Sequence, residues 1–205
     1  MLRLKIEGNW EPEDFIEVLQ ATESLYYKAL PRRHRPYYPE LLLFERRTPF
    51  SSYDDQLNYL NDWILKEARM TAYGQQRLMV SRIEYASPGG IDLVGIGKAL
   101  EAVDKIVGRL IDFYADRNLR KERDKQAALD TQIKEVELEK ERESLRSMQI
   151  ENARELLRIE REYPRELEEL LLPLAVRDQE KLTSRIADQK LIGVRREDGD
   201  GKGRD

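Results

Sequence analysis

The sequence predicts an α+β fold: a small head of two or three strands and three helices, then a long charged helix and a short C-terminal helical segment. Three observations carry this. Leu2, Leu4 and Ile6 alternate with Arg3, Lys5 and Glu7, the period of a strand with one buried face. Leu93, Ile96, Leu100, Val103, Val107, Leu110 and Tyr114 recur at steps of three and four, the spacing of a helix with one apolar face. From Arg117 to Tyr163 the chain runs 47 residues without Gly or Pro, and 24 of these are charged, a composition that suits a solvated helix.

The elements follow in order. Gly8-Asn9 ends the first strand, and Pro12 with Glu13 and Asp14 opens a helix, since proline needs no N–H there and acids suit the positive dipole end. Phe15, Leu19 and Tyr26 share its apolar side, and Leu30-Pro31 stops it. Pro31 to Pro39 reads as a proline-stiffened basic loop, and Leu41 to Phe44 as a short strand. Ser51, Ser52, Asp54 and Asp55 mark a second helix start, followed by Leu57, Leu60, Ile64 and Ala68 at helical spacing. Arg77 to Ala86 is the next strand, with Met79, Ile83 and Tyr85 on one face, and Ser87-Pro88-Gly89-Gly90 is a turn.

The third helix, from Leu93 to Tyr114, carries Ile106, Ile111 and Phe113 beside its main stripe. That face is wider than a coiled-coil seam and is expected to pack within the head. Past Arg117 the stripe stops. A ladder of acid-before-base pairs replaces it: Asp130–Lys134, Glu137–Lys140, Glu139–Arg142, Glu143–Arg146, Glu151–Arg154 and Glu155–Arg158. At about 0.2–0.5 kcal/mol each, such pairs help hold a helix that has no partner. Pro164 closes this segment, and Pro173 is expected to interrupt the leucine-rich helix that follows. The resulting division is a globular head at 1–116, a stalk at 117–163, a C-terminal helical element at 164–194 and a disordered tail at 195–205.

Composition removes several kinds of chemistry. With no cysteine there are no disulfides, thiolate nucleophiles or Cys-ligated metals. A single histidine, His34, leaves no multi-histidine metal site and little general-base chemistry at neutral pH. Gly95-Ile96-Gly97-Lys98 resembles a phosphate loop but fails on spacing: Asp92 stands where the first glycine belongs, and Ala99 where a magnesium-binding hydroxyl belongs. These residues are expected to be packing glycines. The reading is therefore a protein that is not an enzyme and has no cofactor. The lack of a long apolar run or signal-peptide stretch, with the absent cysteine, points to the cytoplasm.

Two patches remain as partner sites. Arg32, Arg33 and Arg35 stand beside Tyr37 and Tyr38, where guanidinium groups could fork onto phosphate and tyrosines could stack bases. Leu138, Leu145, Met148, Leu156 and Ile159 form a late apolar phase along the charged helix, the expected seam of a parallel homodimer. Basic residues Arg117 to Lys125 could touch an anionic membrane, but neighbouring acids dilute them, so a solvated face is expected there. The leading expectation is an adaptor or scaffold in which a head is joined by a rigid arm to a helical element that binds a protein. The alternative is a nucleic-acid- or nucleotide-binding module using loop 31–39.

Overall fold

The computed structural model describes residues 1–30, 52–86, 88–124, 131–158 and 165–196. Along the chain run β1 (Leu2–Ile6), α1 (Pro12–Lys28), α2 (Tyr53–Thr71), β2 (Met79–Glu84), β3 (Gly89–Val94), α3 (Gly97–Asp124), α4 (Thr131–Arg158), α5 (Arg165–Ala187) and β4 (Leu191–Arg196). The four strands form one antiparallel sheet in the order β2-β3-β1-β4. With α1 preceding the β2–β3 hairpin and α3 following it, the order is that of a split βαβ, or ferredoxin-like, sheet. Additional helices are inserted in both crossovers.

Among the described residues, the sheet is covered on one face. Leu2, Leu4, Ile6, Ile91, Leu93 and Leu191 point to the helices and are buried, because a period of two puts alternate residues on one side. On the other side lie Arg3 and Lys5, which face Asp92 and Gly90 of β3 and Arg195 and Gly193 of β4. The expected helix face of α3 is in the core, with Leu100, Val103, Ile106, Val107, Leu110 and Tyr114 all buried. Leu93 is not part of that helix. It belongs to β3, which Gly89 and Gly90 begin, so the supposed turn residues start a strand. Gly89 is needed there, since a Cβ on it would run into the Glu84 backbone carbonyl, whereas one on Gly90 would meet only the movable Arg3 guanidinium, 2.6 Å away.

Both expected helix starts are present. Pro12 occupies the first turn of α1, and the Glu11 N–H donates to the Asp14 carboxylate at 2.9 Å. Ser52 caps α2 by accepting from the Asp55 N–H at 3.1 Å. The α2 residues Leu57, Leu60, Ile64 and Ala68 are buried as their spacing requires. Leu41–Phe44 lies outside the described residues.

The stalk and the four-part division need correction. A free rod is not what residues 141–157 form. Arg117 pairs with Glu141 at 2.8 Å, and Arg109 reaches Asn152 at 2.8 Å, so α4 runs antiparallel to α3 as the second arm of a helical hairpin. Leu145, Met148, Gln149, Asn152, Ala153 and Leu156 fall at helical spacing on its inner side. Ala153 and Leu156 are buried in the main core, while Leu157 joins Leu57, Leu60, Ile64, Leu171 and Leu174 in a second cluster among α2, α4 and α5.

Gln149 and Asn152 look like surface residues in sequence, yet they are buried because α5 satisfies them. Asn152 donates to the Gln179 side chain at 3.1 Å, Gln179 to the Gln149 carbonyl at 2.9 Å, and Gln149 to the Thr183 hydroxyl at 3.1 Å.

The C-terminal element is likewise part of the head. α5 lies against α1, and β4 pairs with β1, so Arg195 and Arg196 belong to a strand; residues 197–205 lie outside the described ones. Pro173 does not interrupt α5, which runs from Arg165 to Ala187. A proline removes one backbone bond, but Leu171, Leu174 and Ala175 around it are buried and keep the helix in place. Among the described residues, no helix is long and apolar enough to cross a membrane.

Candidate interaction surface

Strand β2 sits at one edge of the sheet, and five of its six residues are exposed. Met79, Val80 and Ile83 are 49%, 45% and 49% exposed, and Tyr85 just beyond is 63% exposed. Met70 and Tyr73, in the chain leading to β2, are exposed as well. Edge strands expose unpaired backbone N–H and C=O groups, and proteins usually blunt them with lysine, proline or a bulge. Here the register shifts between Val80 and Arg82, so a bulge lies near the start of the strand, and Arg82-Ile83-Glu84 stays regular.

Val80 and Ile83 pair with Leu93 and Ile91, so they lie on the helix-facing side of the sheet. Just past the strand, Tyr85 makes a 6.4 Å ring contact with Phe15 of α1 and accepts a 3.5 Å bond from the Trp10 N–H.

Arg82 and Glu84 pair with Asp92 and Gly90, so they lie on the uncovered face. There the Arg3 guanidinium lies over Gly90, bonds Glu84 and comes within 3.5 Å of Asp92. This hydrogen bond, helped by the charges of Arg82 and Arg3, holds the Glu84 carboxyl below its ordinary value.

A second concave feature lies between α3 and α4, a groove of about 230 Å³ floored by Ala102, Ile106 and Leu156 and rimmed by Lys98, Lys105 and Arg109. Its cations are largely answered by acids. Lys105 is 3.2 Å from Glu101, which also meets Arg196, and Arg109 bonds Glu155. Gly95 and Gly97 have a packing origin at the first of them: a Cβ on Gly95 would lie 2.6 Å from the Tyr26 hydroxyl. That hydroxyl accepts from the Ile96 N–H at 2.8 Å and donates to the Gln76 carbonyl at 3.0 Å. Burial pushes the Tyr26 phenol up to about 12.

The sequence-derived partner residues fall in different places. Arg32, Arg33, Arg35, Tyr37 and Tyr38 lie outside the described residues, as does Ile159. Leu156 is buried, Leu145 and Met148 pack against the core of their own chain, and Leu138 is 42% exposed. Sequence reasoning gave Met79, Ile83 and Tyr85 a common face, but the register shift between Val80 and Arg82 turns Met79 to the opposite side and puts Val80 with Ile83 instead, and the exposure of the strand was not foreseen. The signal was the position of the strand in the sheet, which depends on residues 191–196. Compared with family models, curated proteins and solved structures, the chain matches none.

Proposed function

We propose that this chain is a non-enzymatic protein-interaction module that docks a partner along strand β2. The observation that carries this reading is an edge strand with Met79, Val80 and Ile83 in solvent and Tyr85 exposed just beyond it, while β1 and β3 bury Leu2, Leu4, Ile6, Ile91 and Leu93. An extended segment added there would gain main-chain hydrogen bonds and cover Val80, Ile83 and Tyr85. The charged stretch enters as an arm. It is a hairpin of α3 and α4 rather than a rod, and Val136 and Leu138 near its far end are exposed as a second contact region.

The nucleic-acid alternative gains nothing from the uncovered sheet face. Single-stranded RNA is read on such sheets by aromatic side chains, whereas this face offers Arg3, Lys5, Asp92 and Arg195.

The test is a photo-crosslinking residue at Tyr85, with Tyr59 on α2 as an exposed control, irradiated in host cells. An adduct at Tyr85 that Ile83→Lys abolishes, with thermal unfolding unchanged, is expected. Equal yields at the two positions would remove the docking-edge reading.

A further inference from the structure

We infer that the partner of the β2 edge is a second copy of this chain, an inference that rests on reading β2 as the docking strand. The argument is charge complementarity under two-fold symmetry. Let two β2 strands pair antiparallel about Ile83. Ile83 then stands opposite Ile83 of the second copy, Arg82 opposite its Glu84, and Glu84 opposite its Arg82. The register of β2 on β3 puts Arg82 and Glu84 on the uncovered face and Ile83 on the helix-facing side. Each charge therefore meets its opposite on one side, while the isoleucines meet on the other.

Pairs directly opposite across antiparallel strands are the ones whose side chains interact most strongly, and like charges there are unfavourable. The sequence Arg82-Ile83-Glu84 is self-complementary in this one antiparallel register. Moving it by one residue puts Arg82 opposite Ile83 and brings the two faces out of phase. Glu84 is already oriented for the contact. Arg3 holds one of its oxygens, and the other faces Arg82 of its own strand at 3.6 Å. Arg82 is 63% exposed at its side chain, so in the pairing it would exchange its 3.6 Å contact with Glu84 of its own strand for Glu84 of the second copy. The bulge lies before Arg82, so it leaves the three central positions regular. A closed two-fold pairing of this kind uses the same patch on both copies and pairs the β2 edge of each, so growth through this edge stops at a dimer, with β4 left at either end of the joined sheet. The two sheets would join into one of eight strands.

Sedimentation velocity on the full chain tests this. A dimer at tens of micromolar is expected. Arg82→Glu and Glu84→Arg should each weaken it at least tenfold, and the double swap Arg82→Glu/Glu84→Arg should restore it to within about threefold. Circular dichroism checks that each variant folds. Because the chain has no cysteine, single-cysteine variants give an independent measurement. Ile83→Cys should oxidise to a covalent dimer well before Leu138→Cys. A monomer at 100 µM, or faster crosslinking at Leu138, overturns the inference. A monomer whose Tyr85 crosslinker captures a different protein also overturns it, yet leaves the docking-edge reading standing.

Discussion

The Lys28 ammonium lies 2.6 Å from the Asp178 carboxylate, and both side chains are at most 2% exposed, although 150 residues separate them. The ammonium also meets the Ser24 hydroxyl and, at 3.1 Å, the Asn61 side-chain oxygen, so α1, α2 and α5 converge on one buried charge. Burial lowers the Lys28 pKa from its ordinary value, and Asp178 opposes the shift.

Removing one partner of this pair leaves the other charge buried alone. Lys28→Met is expected to cost about 3–5 kcal/mol. The double variant Lys28→Met/Asp178→Leu should recover most of it, since apolar replacement of a whole buried pair is often neutral or stabilising. Urea unfolding of the two single variants and the double variant measures the coupling. Additive losses would show that the two residues act independently.

Asp14 should set the acid limit of stability. Burial raises its pKa, but the bond from Lys190, the Glu11 backbone and the charges of Arg185 and Lys190 outweigh that, and the net shift is downward. A depressed carboxyl contributes stability in full above its unfolded value, and loses it as pH falls through the folded one. Unfolding free energy should therefore drop below about pH 4, and Asp14→Asn should flatten that slope while lowering stability at pH 7 by about 1–3 kcal/mol. An unchanged acid slope in Asp14→Asn would exclude this residue as the cause.

Gly95 and Tyr26 should behave as one unit. Gly95→Ala places a methyl against the Tyr26 ring and is expected to cost about 1–3 kcal/mol. Tyr26→Ala removes the obstacle along with two hydrogen bonds, so adding Gly95→Ala to it should cost much less. A double-mutant cycle by chemical denaturation decides this, and a coupling below about 0.5 kcal/mol would count against the contact.

Leu156→Ala distinguishes a packed α4 from a free arm. A leucine buried in the main core should lose about 2–5 kcal/mol on truncation. The same change at Leu138 should stay within about 0.5 kcal/mol. Equal, small effects at both positions would restore the solvated-stalk reading for the whole stretch.

The strand at Leu2–Ile6 and the starts of α1 and α2 were legible because period, proline and capping residues act locally. The apolar stripe from Leu100 to Tyr114 was legible because its face is uniformly apolar. α4 was not. Its buried side contains Gln149 and Asn152, and amides count as exposed until their partners on α5 are known. β4 was missed because Leu191-Ile192-Gly193-Val194 continues a leucine-rich helical pattern and runs into arginines. Only its pairing with β1 gives Arg195 and Arg196 a place in a sheet. The open edge was hidden for the same reason: Met79 and Ile83 read as strand residues, but local sequence does not say whether a strand is central or peripheral.

That β1 is clasped between β3 and β4 has a consequence for synthesis on the ribosome. β1 acquires its second neighbour only when residues 191–196 leave the exit tunnel, after every described helix has been made. Until then the flank of Leu2–Ile6 that β4 will cover has no strand beside it.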